Sequence, residues 1–132
     1  MLQDAIMAPA LPDGSDGPAD VLIVEDDPII AIDFEDRLHG FGVKSVRTVG
    51  SVAQALAAIA ARPPDFALLD VELNRENSFA IAERLAALKI PFIFVTGYGA
   101  ETRIASDFVN RPRLQKPCSS EALEAALRSR GA

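Results

Sequence analysis

Five short apolar runs punctuate the chain: "VLIV" at 21–24, "VKSVRTV" at 43–49, "FALLD" at Phe66–Asp70, "PFIFVT" at 91–96 and the weaker "RLQ" at 113–115. Each has the length and β-branched or aromatic content of a strand, and the stretches between them repeat their apolar residues with helical spacing. Asp27-Pro28 supplies an N-cap and a first-turn proline ahead of Ile30, Phe34 and Leu38, which fall on one helical face. Ser51-Val52-Ala53-Gln54 has capping-box spacing before an alanine-rich helix, and 79–89 carries another apolar face. Ser119 and Glu121 open a last helix that buries Leu123 and Leu127. The stretch 100–109, with Thr102, Ser106 and a β-branched end at Val109, predicts a fourth helix that is short or mobile. Strands separated by single helices build a parallel sheet with helices on both faces, because the crossovers are right-handed almost without exception. The expected fold class is thus α/β and doubly wound, with ligands bound outside the carboxyl ends of the strands.

Composition narrows this to one unit. The chain has 132 residues, enough for one core. Residues 8–20, "APALPDGSDGPAD", hold no periodic face and are rich in turn formers, so 1–19 reads as a flexible leader and 20–132 as the domain. A net charge of -6, with no basic stripe interleaved with aromatics, argues against direct nucleic-acid binding. The single cysteine, Cys118, forms no internal disulfide and reads as a small helix-start residue, which fits a reducing compartment. Neither a signal peptide nor a membrane-length apolar run is visible, so the expected location is the cytoplasm.

Polar residues stand where strands end: Glu25-Asp26-Asp27 after "VLIV", Asp70 after "FALL", Thr96 after "FIFV" and Lys116 after "RLQ". In a parallel sheet these ends open onto one edge. Carboxylates gathered there repel one another and raise each other's pKa unless a cation intervenes. Hard oxygen donors with water and phosphate as the remaining ligands suit Mg²⁺. Asp70 can then serve as nucleophile, with Thr96 and Lys116 holding phosphoryl oxygens. Asp27 is explained by helix capping and is left out of the metal set, Glu25 is read as a ligand acting through water, and His39 is a helix-end donor.

This ordered set resembles the receiver domain of two-component response regulators over roughly residue 20 to the C-terminus. The resemblance implies a flavodoxin-like five-stranded sheet of order 2-1-3-4-5 and phosphoryl transfer from a sensor histidine kinase or phosphotransfer protein. It assigns Glu25 and Asp26 as the acidic pair, Asp70 as phosphoacceptor, Thr96 as switch hydroxyl and Lys116 as the lysine before the cis proline Pro117. Glu72 stands where receivers use a main-chain carbonyl as a metal ligand. Three features depart from the pattern. "DVELNRENS" has Asn74 where a proline is usual and lacks the following glycine, and Arg113 replaces the fifth-strand aromatic. "PFIFVTGYGA" meanwhile looks like the FAT GUY variant of receivers, with Val95 in place of alanine, and makes Tyr98 either a switch ring or a half-buried anchor. The expected protein is a monomeric single-domain regulator that signals through a protein-binding surface or drains phosphate from a kinase. The alternatives are an aspartyl-phosphate phosphatase and a pseudo-receiver that binds partners without phosphorylation.

Overall fold

A computed structural model describes residues 18–73, 76–97 and 113–129. Most of the expected leader, Tyr98 and the helix expected over 100–109 lie outside the described residues. Strands β1 (Asp20–Val24), β2 (Ser45–Val49), β3 (Phe66–Asp70), β4 (Phe92–Thr96) and β5 (Arg113–Gln115) form one parallel sheet in the order β2-β1-β3-β4-β5. Helices α1 (Pro28–Gly40), α2 (Val52–Ala61), α3 (Phe79–Ala87) and α4 (Ser120–Ser129) connect and cover it. The order expected from the sequence is the order found.

Alternation along the strands divides the core into two layers. Leu22, Val24, Ala67, Leu69, Phe92 and Phe94 face α2 and α3, packing with Ala55, Ile59, Ile81 and Leu85. Val21, Ile23, Phe66, Leu68, Ile93 and Val95 face the other way, against Phe34 and Leu38 of α1 and Leu123 and Leu127 of α4. Because β3 and β4 are buried on both faces, they read in the sequence as unbroken apolar runs. Phe92 and Phe94 meet edge-to-face with ring centroids 5.5 Å apart.

Local signals set the helix ends. Asp27 Oδ1 accepts the N–H groups of Ile29 and Ile30, at 2.9 and 3.4 Å, and caps α1 as its sequence position predicts. Ser51 Oγ accepts from Gln54 N at α2, while Gln54 Oε1 reaches past the expected partner to the N–H of Gly50 at 2.9 Å. Gly42, with φ of 100°, and Lys89, with φ of 62°, take left-handed conformations after α1 and α3. After β3 the chain forms a feature the strand pattern did not show, a short antiparallel ribbon pairing Glu72–Leu73 with Glu76–Asn77. Buried Ser78 closes it by donating its N–H to the Val71 carbonyl at 3.0 Å. Among the described residues, no helix is long and apolar enough to cross a membrane.

Candidate functional site

Strand register brings the polar strand ends together. Val24 pairs with Leu69 and Val49, Asp70 with Val95, and Thr96 with Gln115, so Glu25, Asp70, Thr96 and Lys116 emerge along one carboxyl edge. The order of the sheet reverses between β1 and β3, and Glu25, Asp26 and Asp70 stand there.

Lys116 organises this edge. Its Nζ donates to Glu25 Oε1 at 2.9 Å and to Asp70 Oδ2 at 3.3 Å, so it reaches both carboxylates and the contact with Asp70 is the longer of the two. Its main-chain N–H donates to the Thr96 carbonyl at 2.7 Å, which fixes the strand end that carries it. The Lys116–Pro117 peptide is cis, as the resemblance implied. Glu25 is buried, and its second oxygen, Oε2, accepts from the N–H of Asp27 at 3.1 Å, tying the acidic loop to the start of α1. The sequence pattern missed this dual commitment of Glu25. Asp70 Oδ1 accepts from the N–H of Glu72 at 3.3 Å, so it is the main chain of Glu72 that meets Asp70, and its side chain is exposed. Thr96 is buried, and its hydroxyl donates to the Leu114 carbonyl at 3.4 Å, a long and weak bond.

The charges do not balance around Asp70. Burial pushes its carboxyl up, the Glu25 carboxylate pushes it further and the Lys116 ammonium only partly offsets them, leaving a pKa of about 7. Burial also works against the Lys116 ammonium, yet Glu25 and Asp70 outweigh it and hold its pKa above the ordinary lysine value. The two shifts share one cause, a single ammonium serving two carboxylates. Oxygens of Glu25, Asp26 and Asp70 lie within 4.8 Å of one another. This surplus of hard, negatively charged donors fits a small divalent cation such as Mg²⁺.

The profile of the response regulator receiver domain matches residues 21–128. Over 87 residues the chain is 30% identical to the phyllosphere-induced regulator PhyR of Methylorubrum extorquens, covering 64% of this chain and 33% of that protein. It spans less than half the length of the curated relatives it matches. The solution structure of SdrG from Sphingomonas melonis Fr1 is similar with a TM-score of 0.76 and 43% identity, over 85% of this chain and 95% of that one. The solution structure of the BeF3-activated conformation of SdrG from Pseudomonas melonis Fr1 matches with a TM-score of 0.70 and 43% identity, over 83% of this chain and 92% of that one.

Proposed function

The chain belongs to the family of response regulator receiver domains, and from that membership we propose that it accepts a phosphoryl group on Asp70 from a histidine kinase or phosphotransfer protein. The carrying observation is the Lys116 ammonium held between Glu25 and Asp70 at the strand edge. An Asp70 oxygen attacks phosphorus on the donor's phosphohistidine, an O–P bond forms as the N–P bond breaks, and the imidazole nitrogen regains a proton. Lys116 lies where it can follow the charge from the carboxylate to a phosphoryl oxygen. Thr96 gives up only a weak bond to Leu114 O if its hydroxyl turns to another phosphoryl oxygen. Glu25, Asp26 and Asp70, with the main chain of Glu72, would hold Mg²⁺, which when bound supplies positive charge against the carboxylates and the incoming phosphoryl group. The BeF3-activated form of the similar SdrG supports a phosphoryl-binding reading.

Phosphorylation replaces the single charge of the Asp70 carboxylate with an acyl phosphate carrying close to two, and the protein-binding surface responds through Thr96 and Tyr98. Tyr98 stands two residues past Thr96 in the FAT GUY-like segment and carries the signal that Arg113 cannot. Tyr98→Ala then accepts phosphate normally and couples it poorly to partner binding; faster dephosphorylation with unchanged binding of a phospho-mimic state would instead make Tyr98 a shield. The primary test is phosphotransfer from candidate kinases with Mg²⁺ present, read as gain of one phosphoryl group by mass. Asp70→Asn should gain none, and equal labelling of that variant would place the acceptor elsewhere.

A further inference from the structure

We propose that Arg37 of α1 is a positioning residue for Lys116, a role that rests on the phosphoacceptor reading above. Lys116 opens the connection from β5 to α4, and among the described residues two main-chain contacts fix this connection on either side of its ammonium. One is the Lys116 N–H donated to the Thr96 carbonyl at 2.7 Å. The next residue, Pro117, has no N–H to give. The second contact is therefore the Cys118 carbonyl, which accepts from Arg37 Nη1 at 2.6 Å across 81 positions of sequence. The other arm of the guanidinium, Nη2, is held by Asp33 Oδ2 at 2.7 Å, one helical turn away, so the fork enters the contact already oriented.

Packing does only part of this work, through the Cys118 side chain resting against the core layer that holds Phe34 and Leu38 of α1. A cleft of about 400 Å³ lies between α1 and the connection, lined by Phe34, Arg37, Gly97, Lys116, Pro117 and Cys118. Beside that contact the cleft leaves open volume, and the Arg37 bond is the polar tie that spans it from α1 to residues 116–118. That distance matters because Nζ divides itself between Glu25 at 2.9 Å and Asp70 at 3.3 Å, where a few tenths of an ångström decide which carboxylate it serves. A surface arginine engaged only in an i,i+4 pair with Asp33 would need no bond to a half-buried carbonyl on another element. Arg37 makes both.

The test uses BeF3⁻ as phosphoryl probe and Mg²⁺ alone as control, on Arg37→Met, which keeps the aliphatic stem and loses the donors. The expected result is a rise of about tenfold in the BeF3⁻ dissociation constant, with Mg²⁺ affinity within about twofold of the parent, since the metal needs the carboxylates and not the ammonium. Arg37→Lys, with one donor in reach, should recover part of the loss. Unchanged BeF3⁻ affinity would overturn the proposal, and so would a parallel fall in both affinities, the mark of general loosening. If Arg37→Met does not fold, Asp33→Asn frees the fork while leaving its charge, and should weaken BeF3⁻ binding less, again with Mg²⁺ binding unmoved; no effect there overturns the role. A parent that binds no BeF3⁻ would remove the phosphoacceptor reading instead. Exchange of the Lys116 amide would then decide for Arg37: faster in Arg37→Met if the bond positions the connection, equal if it does not.

Discussion

Asp70 holds a carboxyl whose proton is bound far more tightly in the folded protein than in the unfolded chain, because burial and Glu25 outweigh Lys116. The sign of the pH effect follows. Between about pH 4 and about pH 7 the folded state keeps a proton that the unfolded state has released, so stability falls as pH rises through that window and levels off above it. In metal-free buffer, Asp70→Asn should flatten this slope. Near pH 8 we expect the variant to be more stable than the parent by on the order of 1–3 kcal/mol, with the gap closing toward pH 4 in urea melts. A gap that persists at pH 4 would mean that the substitution acts through packing rather than charge. The place of Asp70 in the acidic cluster was legible from its company, Glu25-Asp26, Thr96 and Lys116 at the other strand ends, since a lone carboxylate after an apolar run reads equally as a solvated strand end or a turn cap. The partition of Lys116 between Glu25 and Asp70 was not, since it depends on which of two strand ends the ammonium reaches.

At the scale of elements, the strands and the four described helices follow from period and punctuation: alternation and apolar runs for the sheet, Asp27, Ser51 and Ser119 for three helix starts. The ribbon at Glu72–Leu73 and Glu76–Asn77 escaped because two-residue strands carry no period, and its closure depends on Ser78 bonding back to Val71. Arg37 escaped for the same kind of reason. Its i,i+4 partner Asp33 is visible in sequence, but a carbonyl 81 positions away is not. The end of α3 carries a cost that the sequence also hides, since Lys89 adopts a left-handed φ of 62° usually filled by glycine. Lys89→Gly should therefore stabilise the domain by about 0.5–1 kcal/mol in chemical denaturation, and a loss of stability would show that the Lys89 side chain contributes more than its backbone costs.

For the whole molecule, the acidic edge links stability to cation supply. If Glu25, Asp26 and Asp70 share a metal, Mg²⁺ at a hundredfold excess over its Kd should add about 2.7 kcal/mol near neutral pH. The gain should shrink toward pH 5, where protons compete for Asp70, and should be largely absent in Asp26→Asn. Equal thermal shifts in parent and Asp26→Asn would show that the ion binds elsewhere. The sheet order has one more effect, on how these molecules behave beside one another. Outer strands leave main-chain groups that a neighbouring chain could pair with, and among the described residues both outer strands carry an arginine, Arg47 on β2 and the exposed Arg113 on β5. Arg47 is also drawn across its strand to Asp20 at 2.8 Å and to the Ala58 carbonyl at 3.2 Å. Arg113→Val should raise light scattering in concentrated solution while melting near the parent temperature; no change in scattering would show that the three-residue β5 is already too short to be extended. The arginine that stands in place of the family's fifth-strand aromatic would then be a gatekeeper against aggregation, keeping crowded copies of the protein from joining into continuous sheets.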